Sequence, residues 1–376
     1  MPKTFQTIIV GAGPAGLIAG KYLKDALILE QKKEIGRPIQ CAEAISQTAL
    51  EEQGIKPSPD WISAVIDEVE VIAPSGKKIK IKVDKLGFIL DRPVFEKFLA
   101  KKCQAKIQLN QKVVDIKKEQ NGWQIKTQRG LVFESQYLIG ADGPLSIVRR
   151  KIFNEKVGLL PCIEYLVKLE KEIKNEVMRM YFDKEKFPDG YAWIFPKSSN
   201  TAKIGLGGKR DLDKTFQYLM ETKVRPEFGP CQLLENKSGV VPWGGAKIKL
   251  FQDNAFLVGD AGALADPIFG GGINNAMISG RIAAESILSG KSHLYERKIK
   301  KLPSFSAELL SAQKILYSMP NPVLNQLAEI LEKKDVFYLK TIPGILEILS
   351  KEHLRKNFSK IVKFFLILEK NTGSFA

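Results

Sequence analysis

The sequence predicts an α/β protein, α+β overall, in which a parallel-sheet domain holds an inserted antiparallel β-sheet and is followed by a C-terminal helical region. Residues 5–30 contain an apolar run, a glycine-rich turn, a segment with helical spacing and a second apolar run, in the order of a β-α-β unit. Residues 176–207 contain three short strand-like segments, which is typical of a second sheet. From Lys291 onward the apolar spacing is helical and is interrupted by prolines.

The first turn, Gly11-Ala12-Gly13-Pro14-Ala15-Gly16, stands between an apolar strand and a helical segment. Gly11 permits the sharp turn, Gly13 lets the backbone approach a diphosphate, and Gly16 allows close helix–strand packing. The helix N-terminus adds N–H groups and a positive dipole for phosphate. Glu30 ends the next apolar run, where an acid binds a ribose diol. This order predicts a Rossmann-type dinucleotide site but does not separate NAD from FAD.

Two later glycine–aspartate segments indicate that the dinucleotide is FAD. Residues 137–143 and 256–260 each end an apolar strand in a tight turn. Asp260, at the end of the later strand, can bind ribityl hydroxyls. After Pro267, the Gly270-Gly271-Gly272-Ile273 turn opens a helix whose N-terminus suits the electron-rich edge of a flavin ring. We predict FAD as the cofactor and no metal site.

These segments resemble the FAD domain of the para-hydroxybenzoate hydroxylase-like flavoproteins. Within that group, residues 36–45 (GRPIQCAEAI) are similar to the cysteine-bearing loop of the geranylgeranyl reductase family. Residues 189–196 (DGYAWIFP) are similar to that family's Gly-Tyr-x-Trp-x-Phe-Pro strand. The resemblance implies an FAD-dependent reductase that saturates C=C bonds of geranylgeranyl or other polyprenyl chains, above all in membrane ether lipids.

The resemblance also assigns site residues. FAD contacts fall on Gly11, Gly13, Pro14, Ala15, Gly16, Glu30, Arg37, Cys41, Ala42, Ala44, Arg92, Val113, Asp260, Pro267, Gly271, Gly272 and Ile273. Taken without the resemblance, Arg92 reads as a solvated arginine near a helix start and Val113 as a strand core residue. Ala44 departs from the family pattern, in which glycine is expected beside the flavin ring.

The catalytic candidates are Cys41 and Tyr191. The Cys41 thiol either packs against the ring edge and gates the site or donates a proton. Tyr191, Trp193 and Phe195 alternate with smaller residues, which places three rings on one strand face. Such a face forms either a packed core or the apolar wall of a substrate site for an isoprenoid chain.

An isolated alkene lacks an electron-withdrawing group, so hydride addition has to be coupled to protonation. The site must therefore be dry and apolar and must hold one acid. The two histidines, His293 and His353, lie beyond the motifs, which leaves Cys41, Tyr191 or a bound water as the acid.

Lysine and arginine number 58 against 42 aspartates and glutamates, a net charge of +16. This excess favours anionic partners such as an acidic membrane surface, or it reflects a generally lysine-rich surface. With one dinucleotide fingerprint, the electrons come either from transiently bound NAD(P)H or from a small carrier such as ferredoxin. No recognition motif accompanies the charge, so we expect no nucleic-acid partner.

The four cysteines form no CxxC pair, which argues against zinc and disulfides and suits a reducing cytoplasm. No apolar run approaches the roughly 18 residues that span a bilayer. We therefore expect a cytoplasmic protein, with peripheral attachment to the inner face of the cell membrane left open. Leu354, Phe358, Ile361, Phe365 and Leu368 recur at helical spacing among basic residues, as in a membrane-surface helix or a helix docked on the core.

The predicted domains are discontinuous: 1–60, 87–160 and 245–292 bind FAD, 61–86 and 161–244 form the substrate-binding sheet, and 293–376 are helical. Two rival functions remain at this point. One is an aromatic monooxygenase that consumes oxygen with NAD(P)H, and the other is a non-catalytic, membrane-associated flavin- or lipid-binding protein.

Overall fold

Contacts divide the chain into two compact units in this computed structural model, which describes residues 2–245, 247–334, 338–339 and 341–370. The first unit comprises Met1–Ile39, Asp91–Leu159 and Val241–Ser306. The second unit comprises Gln40–Leu90, Leu160–Val240 and Ala307–Ala376. Each unit has its own sheet.

A mainly parallel sheet forms the centre of the first unit. Its strands in the described residues are β1 (Lys3–Val10), β2 (Ala26–Leu29), β6 (Lys106–Gln108), β7 (Val113–Glu119), β8 (Gly122–Thr127), β9 (Val132–Gly140), β15 (Phe251–Gln252) and β16 (Ala255–Leu257). Their order is β15-β16-β9-β1-β2-β6, and the β7–β8 hairpin joins β9. Val10 pairs with Leu29 on one side and Gly140 on the other. The carboxyl ends of the three predicted strands therefore meet at one edge, where ligands bind in such sheets.

The second sheet carries the alternating segments. Its strands in the described residues are β3 (Ala44–Ser46), β4 (Ile62–Ile72), β5 (Lys78–Leu90), β10 (Leu159–Leu169), β11 (Val177–Tyr181), β12 (Ala192–Ser198), β13 (Thr201–Gly207) and β14 (Cys231–Pro242). The order is β14-β10-β13-β12-β11-β4-β5-β3. The expectation of an antiparallel sheet needs one correction, because β4 and β11 pair in parallel, Val177 beside Glu68. They can do so because more than a hundred residues of chain separate them, which permits a crossover.

The helices in the described residues are α1 (Pro14–Tyr22), α2 (Gln47–Glu51), α3 (Arg92–Lys101), α4 (Leu212–Leu219), α5 (Arg225–Phe228), α6 (Ile273–Leu288), α7 (Tyr295–Lys300), α8 (Ala307–Ser318), α9 (Asn321–Leu331), α10 (Ile342–Ser350), α11 (Glu352–Lys356) and α12 (Phe358–Lys370). The Asp91 side chain caps α3 by accepting from the Val94 N–H, and Pro93 stands in its first turn, where proline is favoured. Among the described residues, no helix combines the length and the apolar character needed to cross a bilayer.

The predicted helix over residues 354–368 is docked on the core, which is one of the two predicted alternatives, but it is wrong in its continuity and in part of its buried face. The chain forms α11 and α12 with a break at Asn357. The buried side chains are Leu354, Ile361, Phe364 and Ile367, and α12 packs on α8. Because the buried residues of α12 recur every three positions, Phe365 and Leu368 turn to the half-exposed side. The face expected for a membrane is therefore partly used in packing.

The unit bounds differ from the predicted domain bounds most at residues 40–60 and 293–306, by up to four residues at the other boundaries, and in that residues 307–376 cluster with the second unit. Residues 40–60, predicted with the FAD-binding domain, cluster with the second unit because β3 pairs with β5. Residues 293–306, predicted with the C-terminal helices, cluster with the first unit. There the Tyr295 hydroxyl donates to the Leu257 carbonyl at 2.7 Å, and Ile299 is fully buried.

Candidate functional site

The glycine turn of the first unit has two kinds of glycine. A Cβ on Gly11, whose φ is +104°, would lie 2.3 Å from the Ala141 carbonyl oxygen, and one on Gly16 would lie 2.0 Å from the Gly11 oxygen. These two glycines are required by packing. A Cβ on Gly13 would meet nothing within 4 Å, and Gly13 caps α1 without a side-chain hydrogen bond. The N-terminus of α1 therefore faces open space, which suits a diphosphate.

Glu30 is held at this turn. Its carboxylate accepts the Ala12 N–H at 2.6 Å and the Lys32 N–H at 2.8 Å. Its carbonyl accepts the Gln111 N–H at 2.8 Å, which places the start of β7, with buried Val113, on the same edge. A carboxylate has about four acceptor sites, so Glu30 retains capacity for ribose hydroxyls.

Asp260 lies next to the Gly270–Ile273 turn. A Cβ on Gly272 would lie 3.2 Å from Asp260 Oδ1. Burial raises the pKa of Asp260, and the Arg92 and Arg149 guanidiniums oppose that rise. Arg92 thus lies within electrostatic range of Asp260, while its Nε also pairs with Glu96 at 2.6 Å.

Asp266, which the sequence analysis passed over, shapes the turn that contains Pro267 and Gly271. Its Oδ1 accepts the Ile268 and Phe269 N–H groups at 2.9 and 2.7 Å, and its own N–H donates to the Gly271 carbonyl at 2.7 Å. Burial raises the pKa of Asp266 to about 6. The two hydrogen bonds to the carboxylate oppose that rise without cancelling it.

Asn274, in the first turn of α6, has a buried Oδ1 without a hydrogen-bond partner in the part of the chain that the structure describes. Such an acceptor is costly unless a ligand donates to it. Together with the open space at Gly13 and the acid at Glu30, it makes the first unit a good fit for FAD.

Asp142 and Arg149, in and just after the glycine–aspartate segment at residues 137–143, were not predicted to have a role, although the structure gives both one. The Asp142 carboxylate accepts the Ser146 hydroxyl and the Ile147 N–H, both at 2.6 Å. Arg149 is buried and donates to the carbonyls of Ala261 at 2.8 Å and Pro144 at 2.5 Å. The turn after β9 is thereby tied to the Asp260 segment. Arg37, in contrast, has a side chain that is 64% exposed, 4.0 Å from Glu34.

The Cys41 loop belongs to the second unit. The Glu43 N–H donates to Cys41 Sγ at 3.2 Å, and Glu43 has a φ of +69°, a left-handed value that non-glycine residues rarely adopt. Ala42 precedes this residue, and Ala44 starts β3, where it pairs with Ile89.

Four charged side chains cluster at this loop, Glu43 within it and Lys197, Lys203 and Glu164 beside it, and none of them was predicted as a site residue. Lys203 Nζ donates to the Cys41 carbonyl at 2.7 Å and lies 3.1 Å from both Glu43 and Glu164. Lys197 Nζ donates to Glu43 at 2.7 Å. Burial raises the pKa of Glu164 despite Lys203, and the two carboxylates outweigh burial to raise the pKa of Lys203.

The three predicted rings form a continuous row. Ring centroids are 5.7 Å apart for Tyr191 and Trp193 and 6.5 Å apart for Trp193 and Phe195. The Trp193 indole N–H donates to Glu164 at 3.2 Å, and a Cβ on Gly205 would lie 2.5 Å from the indole. Glycine at 205 therefore makes room for the ring.

The row lies on the sheet face opposite the main hydrophobic core of the second unit. The core contains residues of α4 and the alternate residues of β12 and β13, which are Ala192, Ile194, Ile204 and Leu206. The register pairs Trp193 with Gly205, and β12 alternates its side chains between the two faces. The rings are not among the residues of this cluster, although Trp193 and Phe195 are themselves buried, at 8% and 6% exposure.

Comparison with known proteins decides the family. The geranylgeranyl reductase catalytic domain matches residues 159–241, and the pyridine nucleotide-disulphide oxidoreductase family matches residues 8–156. The digeranylgeranylglycerophospholipid reductase of Methanocaldococcus jannaschii is 32% identical, with 87% of this chain and 90% of that protein covered. The digeranylgeranylglycerophospholipid reductase of Methanococcus vannielii is 33% identical, with 89% of this chain and 94% of that protein covered. The chain belongs to the digeranylgeranylglycerophospholipid reductase family.

As a member of this family the protein is an FAD-dependent oxidoreductase, and the predicted family and fold class are confirmed. A geranylgeranyl bacteriochlorophyll reductase-like protein from Thermoplasma acidophilum has the same fold, with a TM-score of 0.82 at 24% identity over 96% of this chain and 100% of that one. A flavin-dependent brominase is more distant, at a TM-score of 0.67 and 17% identity over 98% and 100%.

Gly13→Ala is expected to weaken FAD binding without unfolding the protein. The Gly13 φ of −77° suits alanine, but the added methyl group enters the space assigned to the diphosphate. We expect the FAD Kd, from fluorescence titration of the apoprotein, to rise about tenfold or more, or ~1.4 kcal/mol. Gly16→Ala is the matched control, since its Cβ meets backbone and should lower the free energy of unfolding instead. Unchanged FAD affinity in Gly13→Ala would contradict the placement.

Asp266 is expected to make stability depend on pH. The pKa of Asp266 is about 6 in the folded protein and has an ordinary value of 3.8. The protonated carboxyl therefore adds its full share to the free energy of unfolding below about pH 4, and this share is lost as the pH rises through 6. Asp266→Asn keeps the Oδ1 acceptor but has no proton to lose. The free energy of unfolding of the wild type, relative to Asp266→Asn, should fall by about 3 kcal/mol from pH 4 to pH 7 in urea titrations. A difference that is flat across this range would refute the assignment.

Proposed function

We propose that this protein reduces C=C bonds in the geranylgeranyl chains of digeranylgeranylglycerophospholipid-type membrane lipids. The observation that carries the proposal is the row of Tyr191, Trp193 and Phe195, which lies in the segment that matches the geranylgeranyl reductase catalytic domain. Through Glu164 and Lys203 this row is connected to the Cys41 loop. An apolar wall beside a thiol suits an isoprenoid chain better than a polar aromatic substrate.

Each bond reduced requires one hydride and one proton. FAD, when bound and reduced, supplies the hydride. The rings of the row bind the chain and exclude water, which an unactivated alkene needs. The proton reaches the second alkene carbon from Cys41 Sγ, Tyr191 Oη or a water that one of them holds. We infer that Cys41 contacts the reacting bond and that Tyr191 serves as wall, because its ring stacks on Phe182 at 5.4 Å.

We propose FAD contacts in both units. The contacts in the first unit are supported by the open N-terminus of α1 and by the short distance between Asp260 and Gly272. They are Gly11 to Gly16, Glu30, Arg92, Val113, Asp260, Pro267 and Gly271 to Ile273. Cys41, Ala42 and Ala44 of the second unit are supported by the family resemblance. Arg37, with its exposed side chain, is supported by the resemblance alone.

We propose that reducing equivalents arrive transiently, because a single dinucleotide fingerprint is present in the sequence. The net charge of +16 favours a small acidic carrier over NAD(P)H. Reduction of the flavin by NADPH at a rate that matches turnover would favour the nicotinamide instead.

Cys41 variants test the reaction and the role of the thiol together. After anaerobic dithionite reduction, added geranylgeranyl phospholipid should reoxidise the wild-type flavin and gain hydrogen two atoms at a time by mass spectrometry. We expect Cys41→Ala to lower kcat about tenfold, and Cys41→Ser to lower it by a similar factor, because a serine hydroxyl is a far weaker acid than a thiol. Tyr191→Phe is the matched control and should stay near wild type.

Three outcomes would argue otherwise. Oxygen-dependent hydroxylation of a substrate would favour the monooxygenase. Absence of lipid-accelerated flavin reoxidation would favour a binding protein. A larger loss of kcat in Tyr191→Phe than in Cys41→Ala would make Tyr191 the proton donor.

We propose that the protein touches the membrane through α10. Ile342, Leu346 and Leu349, spaced as one helical face, are 76%, 61% and 37% exposed. The other side of α10 is anchored by Gly344 and Ile348, which are buried. The neighbouring α11 ends in basic residues, so apolar and positive groups occur together, as an anionic bilayer requires.

Ile342→Asp with Leu346→Asp should weaken sedimentation with vesicles that contain acidic phospholipid. Each exposed aliphatic side chain is worth ~1.5 kcal/mol or more on insertion, so we expect roughly a tenfold loss or greater. Leu288→Asp, equally exposed at 61% on α6, is the matched control and should bind as the wild type does. Equal loss in both variants would indicate a general effect of charge, and no loss would exclude this face.

A further inference from the structure

Lys203 is an unusual residue for its position. It lies in β13, in the sequence Thr-Ala-Lys-Ile-Gly-Leu-Gly, and is 4% exposed. A buried ammonium is tolerated only where its N–H groups are all bonded and its charge is balanced. Lysine has three such groups, and here three acceptors surround the nitrogen.

The three acceptors belong to two parts of the second unit, the Cys41 loop and β10. The Cys41 carbonyl is 2.7 Å from Lys203 Nζ, and the carboxylates of Glu43 and Glu164 are each 3.1 Å away. Lys197 pairs with the same Glu43 oxygen, so two ammonium groups balance two carboxylates. The cluster is neutral as a whole, which is the condition for burying it.

Glu43 transmits this anchoring to the thiol. Its side chain joins Lys203 and Lys197, while its N–H donates to Cys41 Sγ at 3.2 Å. Its left-handed backbone, with φ of +69°, has to be held in place by surrounding contacts. Lys203 therefore reaches Cys41 twice, directly through the carbonyl and indirectly through Glu43.

Glu164 connects the cluster to the aromatic row. One of its oxygens accepts from Lys203 and the other from the Trp193 indole N–H at 3.2 Å. In the register, Lys203 pairs with Phe195 and Gly205 pairs with Trp193, so the lysine and the two rings share one face of the sheet. The spacing between the row and the Cys41 loop is thus set through a single ammonium group.

We propose that Lys203 is a positioning residue that fixes the Cys41 loop relative to the aromatic row. The proposal rests on the proposed function, in which Cys41 contacts the alkene that the row binds. Lys203 acts through Cys41 and Glu43 and takes no part in the transfer of hydride or proton.

Lys203→Met and Lys197→Met form a matched pair in the full-length FAD-loaded protein. Both remove one ammonium from Glu43, but Lys197 bonds the Leu90 carbonyl and only Lys203 bonds the Cys41 carbonyl. We expect Lys203→Met to lower kcat roughly 10- to 100-fold with KM within about threefold, since misplacement acts on the reacting geometry. Lys197→Met should lose less than about threefold in kcat, and Lys203→Arg should recover part of the loss.

A double-mutant cycle and hydrogen exchange complete the test. Combined with Cys41→Ala, Lys203→Met should cost less than about threefold further in kcat, because the residue it positions is already gone. Backbone hydrogen exchange of residues 40–46 should accelerate about tenfold in Lys203→Met and less than about threefold in Lys197→Met, which leaves Lys203 bonded to both Glu43 and the Cys41 carbonyl. If Lys203→Met does not retain FAD, Lys203→Gln is measured in its place with the same expectations.

Equal effects of the two methionine variants on kcat and on exchange would overturn the proposal. Full additivity with Cys41→Ala would do the same, since it would make Lys203 act elsewhere. Failure of the proposed function is seen separately, as a wild-type protein that reduces no polyprenyl lipid. In that case the exchange experiment still decides whether Lys203 holds the loop.

Discussion

The position of helix α1 depends on backbone approaches that leave no room for a side chain. A Cβ on Gly16 would lie 2.0 Å from the Gly11 oxygen, and a Cβ on Gly280 of α6 would lie 2.2 Å from the Ala15 oxygen. Because backbone meets backbone at both places, the N-terminus of α1 is fixed to the turn and to α6 together. The N–H groups that we propose to bind the diphosphate are thereby oriented by the backbone packing of the protein itself.

The second unit fixes its own functional loop by charge instead. The Cys41 loop has no glycine at position 44, and its left-handed residue is Glu43. A glutamate in that conformation is maintained by what its carboxylate binds, here Lys197 and Lys203. Alanine in place of glycine at position 44 is therefore compatible with a well-defined loop, because the bonds of the Glu43 carboxylate hold the loop in place.

The part of the site that was predictable from the sequence is the part that is contiguous. Gly11 to Gly16, the Gly270–Ile273 turn and the row from Tyr191 to Phe195 are each written in one short stretch, and periodicity or spacing reveals them. Glu164 and Lys203 meet only because β10 and β13 pair antiparallel in one register, in which Tyr165 faces Ile204. The sequence does not state that register, although a lysine inside an otherwise apolar strand was a signal that could have been followed.

The same distinction explains the error in the C-terminal helices. A repeat of apolar residues at 354, 358, 361, 365 and 368 fits one long helix, but α12 buries Phe364 and Ile367 together with Ile361. Both registers are apolar, so hydropathy alone could not choose between them, and packing on α8 did. The exposed apolar face lies on α10 instead. In the sequence this helix is a short apolar segment between prolines and a basic stretch, which did not indicate a membrane-facing helix.

A neutral cluster of charges behind an apolar wall answers two requirements that conflict. Reduction of an unactivated alkene calls for a dry surface, and in the proposed function the buried rings of Trp193 and Phe195 provide it. A loop placed to within a fraction of an ångström calls for strong directional bonds, which apolar side chains lack. An aliphatic residue at position 203 would satisfy the first requirement and leave Glu43, Glu164 and the Cys41 carbonyl without their shared donor. A lysine whose charge is fully balanced satisfies both, because its ammonium is bonded within the cluster and its alkyl chain lies beside the rings.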